Sequence, residues 1–186
     1  MKKLIAALMA LMILFSFAAA ETAEVQAMNF KEMLSEEELA TGSYVDLTER
    51  SGLPVSIWVP NGVFTDVQLT AEQTEKSPAF MMLVNENLVG SVIALMTASS
   101  DKDYAAVLET LNADKTVSDV TEAQINGIPT IAWVQVKNSD GKDEYTAYAT
   151  YFIDDVKLIL FFPVLEDDTF LQYARLISAS VSYTGQ

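Results

Sequence analysis

The sequence predicts an α+β fold, a three-layer α/β/α sandwich with a central, mostly antiparallel β-sheet. From residue 44 onward, short runs of alternating apolar residues are separated by turn signals, as in antiparallel hairpins. The runs at 79–85 and 156–162 are apolar on both faces, so both faces of the sheet need cover. Two longer segments have the 3.6-residue period of amphipathic helices, which can supply that cover.

The first twenty residues have the layout of a secretory signal peptide. Two lysines precede an apolar run from Leu4 to about Phe17, and alanines occupy positions 18–20. Small residues at this place suit a signal peptidase, and the run is slightly short for a membrane span of about 20 residues. We therefore expect cleavage after Ala20 and a secreted or extracytoplasmic mature chain that does not span a membrane. An uncleaved membrane anchor is the alternative.

Residues 21–43 form an N-terminal segment with one short predicted helix. Ser35 and Glu38 have the Ser–x–x–Glu spacing of a capping box, and Gly42 would end the helix. The remaining residues, 44–186, are expected to form a single domain, because about 100–200 residues usually fold as one.

Six apolar runs are the predicted strands of this domain: 55–60, 79–85, 91–98, 129–136, 144–153 and 156–163. The second and third runs flank a short polar connector that ends in glycine, so they predict a hairpin. The last three follow one another closely, and Asp140-Gly141 is a strong hairpin signal. These three runs therefore predict an antiparallel meander.

The stretch QINGIPTIAW reads as a turn that leads into a strand. Asn126-Gly127 accommodates positive φ, and Pro129 suits the first position of a strand, where no ladder N–H is needed. Ile131 and Trp133 then share one face. We expect a structural role for this turn rather than a binding loop.

Two segments have helical period. Their apolar stripes are Tyr104, Val107, Leu108 and Leu111 in the first and Phe170, Tyr173, Ala174, Ile177 and Val181 in the second. Asp101 or Asp103 lies near the start of the first helix, and Asp168 or Thr169 is the expected cap of the second.

The composition excludes several kinds of site. The chain has 11 basic and 26 acidic residues, a net charge of −15, and phosphate binding needs clustered positive charge. Nucleic acid is therefore an unsuitable partner, whereas cations, basic proteins and cationic wall components are compatible. The sequence has no cysteine and no histidine, so it lacks the lipid-modified cysteine of a lipoprotein, the commonest general base and the commonest transition-metal ligand. We expect no catalytic residue, no metal and no cofactor.

Two other functions stay open. A carboxylate-based extracellular hydrolase needs two acids across a cleft, and 26 acidic residues can supply such a pair by chance. A Ca²⁺-dependent module needs closely spaced oxygen ligands. The candidate clusters are Asn138, Asp140, Asp143 and Glu144, and Glu166-Asp167-Asp168. Their alternative roles are a solvated turn and a helix cap.

Phe64, Trp58 and Trp133 are the candidate contacts with a partner. Phe64 lies in the long and mostly polar stretch 61–78, and long loops often carry binding residues. Aromatic residues at strand positions are more often core than interface, which is the alternative for both tryptophans.

The order of these elements resembles the PsbP-like superfamily. The resemblance covers about residues 44–184 and consists of WVP at 58–60, a helix near 101–112, the turn at 126–129, LFFP at 160–163 and LISASV at 176–181. It implies an α/β/α sandwich and a protein that binds or assists another protein. No functional residues carry over, because no family site motif is matched. We expect an exported, non-catalytic binding or accessory domain that acts on a protein or cell-envelope partner.

Overall fold

The computed structural model describes residues 25–70, 79–99 and 103–184, together with Glu72 and Glu75. The predicted signal peptide, residues 1–20, lies outside the described residues. The strands of the described part are β1 (Gln26–Met28), β2 (Gly42–Asp46), β3 (Val55–Pro60), β4 (Thr65–Val67), β5 (Ala79–Val84), β6 (Val92–Ser99), β7 (Val117–Ile125), β8 (Ile128–Ser139), β9 (Lys142–Ile153), β10 (Val156–Pro163) and β11 (Ser182–Tyr183). Its α-helices are α1 (Glu36–Leu39), α2 (Thr48–Ser51), α3 (Tyr104–Ala113) and α4 (Asp168–Ala179), and a 3-10 helix spans Phe30–Glu32.

Eight of the described strands form one large sheet in the order β1-β7-β8-β9-β10-β6-β5-β4. Neighbouring strands pair antiparallel, except that β1 runs parallel to β7. The predicted β5–β6 hairpin and the predicted β8–β9–β10 meander are therefore confirmed.

The hairpin turns use the residues that the sequence indicates. Asn126 and Gly127 have φ of 50° and 80°, and Asp140 and Gly141 have φ of 51° and 77°. Positive φ at both central residues is what a type I′ turn requires, and its twist matches that of the flanking strands. Since β8 begins at Ile128, the turn at 126–127 leads directly into a strand, as predicted.

The other described strands, β2, β3 and β11, form a small sheet in the order β11-β3-β2. Val55 and Ile57 of β3 join α4 in the core that covers one face of the large sheet, where Met81 is 1% exposed. The buried Tyr151 hydroxyl of β9 donates a 2.6 Å hydrogen bond to the Ser178 carbonyl of α4. A helix and a small sheet thus cover this face. The sequence predicted helices alone, because an alternating run does not specify which sheet it joins.

The opposite face of the large sheet is only partly covered. Met82 of β5 is half-buried on this face. Phe80, which the alternation predicts here, lies at the β-bulge between Ala79 and Met81 and packs against the core instead. Helix α3 packs on this face, where the centres of the Tyr104 and Phe152 rings are 4.8 Å apart. The fold is therefore a mixed α and β fold with a large, mostly antiparallel sheet, and a complete third layer of helices is not seen among the described residues.

Side-chain caps fix the start of two helices as predicted. The Ser35 hydroxyl accepts a 3.2 Å hydrogen bond from the Glu38 N–H, and the Glu38 carboxylate accepts one of 2.8 Å from the Ser35 N–H, which completes the capping box of α1. The Asp103 carboxylate caps α3 by accepting from the Ala106 N–H at 2.8 Å.

Helix α4 begins one residue earlier than the sequence predicted. Asp167, not Asp168 or Thr169, is its cap, because the Asp167 carboxylate accepts a 2.7 Å hydrogen bond from the Phe170 N–H. Three adjacent residues can each cap a helix, so the packing of Phe170 into the core decides which of them does.

Candidate binding pocket

A cavity of about 790 Å³ opens on the outer face of the small sheet, the face turned away from the core. We call it the β1–β11 pocket. Its walls are the N-terminal segment at 27–32, the turn at Asn126-Gly127 and the chain at 182–184. Ligand pockets usually enclose about 300–1,000 Å³, so the cavity has the size of a binding site.

The floor of the pocket is a polar row across the small sheet. Asp46 of β2 lies opposite Ser56 of β3, which lies opposite Ser182 of β11, and all three line the cavity. Residues in register share one face of a sheet. The Ser56 and Ser182 hydroxyl oxygens are 3.3 Å apart, so the two hydroxyl groups form a hydrogen bond with each other.

Asp46 supplies a fixed negative charge at the edge of this row. Its carboxylate accepts hydrogen bonds from the Thr48 hydroxyl at 2.6 Å and from the Thr48 N–H at 2.8 Å. These two bonds, the side-chain bond more than the backbone bond, lower the pKa of Asp46. The carboxyl is therefore ionised at neutral pH.

The N-terminal wall is held in place by Phe30. The Phe30 side chain is buried, and its ring lies 5.8 Å from the ring of Trp58. The Asn29 carboxamide caps the 3-10 helix by accepting from the Lys31 N–H at 3.2 Å and donates to the Glu32 carboxylate at 2.9 Å. This local geometry brings one cation, Lys31, and one anion, Glu32, to the lining of the pocket.

Asn126 ties the pocket walls together. Its side-chain carbonyl accepts a 2.8 Å hydrogen bond from the Phe30 N–H. Its side-chain amide donates to the Ala179 carbonyl at 2.9 Å and to the Val181 carbonyl at 2.8 Å. One residue of the β7–β8 turn therefore fixes both the N-terminal wall and the C-terminal wall.

Two tyrosines complete the lining. Tyr44 of β2 is 48% exposed, and partial burial raises the pKa of its hydroxyl. Tyr183 of β11 is half-buried and packs against the core. The pocket thus presents the aromatic ring of Tyr44, hydroxyl groups and charges of both signs, which suits a polar, extended or partly aromatic ligand better than a purely apolar one.

The structure buries the side chains of Trp58 and Trp133. Trp58 is 2% exposed, and its indole Nε1–H donates to the Leu39 carbonyl at 3.0 Å. The N-terminal segment covers this ring. The sequence of β3 alone does not indicate this cover, because the covering residues are distant in the chain. Trp133 is 9% exposed and stacks on Tyr148, with ring centres 5.1 Å apart.

Phe64, the third candidate contact residue, packs on α4. Its ring lies 6.4 Å from the ring of Phe170 and 6.2 Å from that of Tyr173. The structure does not bring Phe64, Trp58 and Trp133 together, and none of them lines the β1–β11 pocket. Sequence reasoning missed the pocket residues, although the polar Ser56 within an apolar strand was a signal.

The candidate Ca²⁺ ligands have structural partners. The Asn138 side-chain amide donates to the Asp143 carboxylate at 2.8 Å beside the β8–β9 turn, and Asp167 caps α4. In the part of the chain that the structure describes, no group of three or more acidic side chains is placed to hold a metal ion. These roles match the alternatives of a turn and a helix cap.

No protein-family model matches this sequence, and no curated protein matches it. Solved structures do share its fold. A protein from Bacteroides thetaiotaomicron has a TM-score of 0.53 and 10% identity over 77% of this chain. This chain covers 48% of that protein, about half its length.

Two further structures are similar. Cyanobacterial PsbP (CyanoP) from Synechocystis has a TM-score of 0.55 and 10% identity, over 81% of this chain and 96% of that one. LpqN, involved in cell envelope biogenesis of Mycobacterium tuberculosis, has a TM-score of 0.52 and 16% identity, over 76% of this chain and 89% of that one. Among the described helices, none has the length and apolar character to cross a membrane. With an eight-stranded sheet packed on α4 and a small second sheet, the chain has the PsbP-like fold that its sequence predicts.

Proposed function

We propose that this chain is an exported, non-catalytic binding or accessory domain that holds a protein or cell-envelope partner in the β1–β11 pocket. The observation that carries the proposal is the pocket itself, about 790 Å³ in volume and lined by hydroxyl groups, tyrosines and charges. Pockets of this kind, with a few fixed polar groups, are the usual place for a ligand.

The pocket is organised before any ligand arrives. Asn126 makes three side-chain hydrogen bonds to the walls, and Phe30 anchors the N-terminal wall against Trp58. A binding site that is already ordered loses less conformational entropy when it is filled. This rigidity supports a recognition site rather than an incidental surface depression.

The groups in the pocket support binding more than catalysis. A general acid needs a raised pKa at neutral pH, but the pKa of Asp46 is lowered by Thr48. A nucleophilic serine needs a base, whereas the Ser56 and Ser182 hydroxyl groups pair with each other. No observation favours the hydrolase or the Ca²⁺-dependent module over a binding domain.

The proposed location outside the cytoplasm rests on the first twenty residues. N-terminal sequencing of the protein from its producing cell checks this part of the proposal. We expect the exported chain to begin at Glu21, and a chain that begins at Met1 in the cytoplasm would contradict export. The similarity to LpqN, a protein involved in cell envelope biogenesis, adds support for an envelope partner.

Site-specific photocross-linking in the producing cell tests the pocket. A photoreactive p-benzoylphenylalanine replaces Tyr44 of β2 or Lys31 of the N-terminal wall, and Val89 serves as the control because it is 97% exposed and does not line the pocket. We expect one and the same partner to be cross-linked from Tyr44 and from Lys31, and not from Val89. Equal cross-linking from all three positions, or none from the two pocket positions, would contradict the proposal.

A further inference from the structure

The open edge of β1 borders the pocket. The Asn126 N–H donates to the Met28 carbonyl at 2.8 Å, so the backbone groups of Met28 face β7. Successive residues of a strand direct their backbone groups to opposite sides. The N–H and C=O of Ala27 therefore point away from β7, and no described strand pairs with that side of β1. Ala27 itself lines the pocket.

A second strand edge lies across the same pocket. The Thr184 N–H donates to the Pro54 carbonyl at 2.8 Å, which places Thr184 and Ser182 in the hydrogen-bonding register with β3. By the same alternation, the N–H and C=O of Tyr183 point away from β3. Among the described strands, β11 is one edge of the small sheet, and β1 is one edge of the large sheet. Strand edges present unused backbone donors and acceptors to an added chain.

The charges at the pocket indicate what kind of chain fits. Its ionisable residues include two acids, Glu32 and Asp46, and one base, Lys31. The whole chain has a net charge of −15. A basic side chain next to Asp46 meets an ionised carboxylate, and the overall field attracts a cationic segment. An acidic segment would meet repulsion from the same groups.

We infer that the partner binds as an extended peptide that adds a strand to the open edge of β1 and places one basic side chain towards Asp46. This inference rests on the proposed function. Main-chain hydrogen bonds to Ala27 supply sequence-independent affinity, and the floor of the pocket selects the basic side chain. The three residues of β1 extend over about 10 Å at ~3.3 Å each, so about three or four peptide residues are engaged.

Capped pentapeptides test the inference on the exported chain. The peptides have Lys, Ala or Glu at the centre of a Thr-Val-X-Val-Thr frame, and binding is measured by NMR titration and by amide hydrogen exchange. We expect the Lys peptide to bind most tightly and the Glu peptide most weakly, with slower exchange at Ala27 in the complex. Methylation of alternate peptide amides removes donors, and we expect it to weaken binding at least about tenfold.

Variants at one position provide the matched control. Ala27→Pro removes an N–H that points to the open side and leaves the hydrogen bonds between β1 and β7 in place, and an edge strand tolerates proline at such a position. Ala27→Ser keeps the N–H. We expect A27P to bind the Lys peptide at least about tenfold more weakly than A27S, and D46N, which keeps an acceptor for Thr48, to lose the preference for Lys over Ala.

Three results would overturn the strand-addition inference: equal binding by A27P and A27S, equal binding of the methylated and unmethylated peptides, or no binding of any pentapeptide at millimolar concentration. If one of these occurs while Tyr44 and Lys31 still cross-link one partner, the proposed function stands and only the binding mode is wrong. If the cross-linking fails as well, the pocket is not a binding site and both proposals are wrong.

Discussion

The side-chain carbonyl of Asn126 accepts a 2.8 Å hydrogen bond from the backbone N–H of Phe30, a residue 96 positions away in the sequence. Through this bond a hairpin turn holds the segment that forms one wall of the pocket. The side-chain amide of Asn126 donates hydrogen bonds to the Ala179 and Val181 carbonyls. The turn residue is therefore a junction between three distant parts of the chain.

Replacement of Asn126 by glycine is expected to destabilise the fold while it preserves the turn. Glycine adopts the observed φ of 50° without strain, so only the three side-chain hydrogen bonds are lost. At about 1 kcal/mol each, the free energy of unfolding should fall by about 2–4 kcal/mol, as measured by urea denaturation. Asp140→Gly, at a turn with φ of 51°, is the control, with an expected change within about 0.5 kcal/mol. Equal effects of the two variants would contradict the junction role.

Gly42 is expected to tolerate no side chain. A Cβ at Gly42 would overlap the indole ring of Trp58, which is buried between β3 and the N-terminal segment. Overpacking of this kind costs about 1–3 kcal/mol, so Gly42→Ala should lower the denaturant midpoint. The smaller ring of a Trp58→Phe background should reduce that loss, and the double-mutant cycle measures the difference. Strict additivity of the two substitutions would refute the steric explanation.

Tyr151 is expected to make the fold sensitive to alkali. Burial is the main cause that raises the pKa of its hydroxyl above the ordinary value of 10.0. The unfolded chain therefore loses this proton at lower pH than the folded chain, so the contribution to stability is complete below about pH 10 and declines as the pH rises through the folded pKa.

Tyr151→Phe separates this titration from the hydrogen bond. At pH 7 the variant should be less stable by about 1–2 kcal/mol, because the Ser178 carbonyl loses its donor. Above pH 10 its free energy of unfolding should fall less steeply than that of the unmodified protein. Denaturant unfolding at a series of pH values provides both measurements, and parallel curves above pH 10 would show that Tyr151 is not responsible.

Phe64 is expected to matter for stability rather than for binding. Its ring contacts Phe170 and Tyr173 on α4, so Phe64→Ala should cost about 1–3 kcal/mol by loss of packing, and Phe64→Leu clearly less. Thermal unfolding measures this difference. At temperatures where F64L is folded, its cross-linking from Tyr44 should equal that of the unmodified protein. Loss of cross-linking in folded F64L would indicate that Phe64 contributes to binding of the partner.

Local signals predicted much of the large sheet. Asn126-Gly127 and Asp140-Gly141 specify type I′ turns through their backbone conformations, and apolar alternation specifies the strands on each side. These signals need only neighbouring residues. For the same reason the capping box of α1 and the start of α3 at Asp103 were predictable.

The sequence did not predict strand β7, because its alternation of apolar and polar residues is interrupted. It contains several polar residues, Asp119 has a φ of 55°, and the pairing with β8 shifts register between Ser118 and Thr121. A bulge of this kind moves side chains to the other face and disrupts alternation. Strand β1 is only three residues long and β11 only two, and their pairing partners, not their own sequences, make them strands.

The pocket floor depends on distant pairing. Ser56 and Ser182 are 126 positions apart, and only the register of β11 on β3 brings their hydroxyl groups together. Trp58 is an aromatic residue on the polar face of β3, so from the strand alone it resembles a contact residue. In the folded chain the N-terminal segment covers it. Composition and periodicity contain no information on which segment supplies such a cover.

The two tryptophans of the chain lie in separate structural neighbourhoods, Trp58 beneath the N-terminal wall and Trp133 on the half-covered face of the large sheet. Their fluorescence can therefore be assigned to different parts of the molecule with one substitution each. If the N-terminal wall detaches before the sheet unfolds, emission from Trp58 shifts to the red while emission from Trp133 does not. The protein thus contains its own pair of optical probes for the order in which the pocket and the sheet come apart.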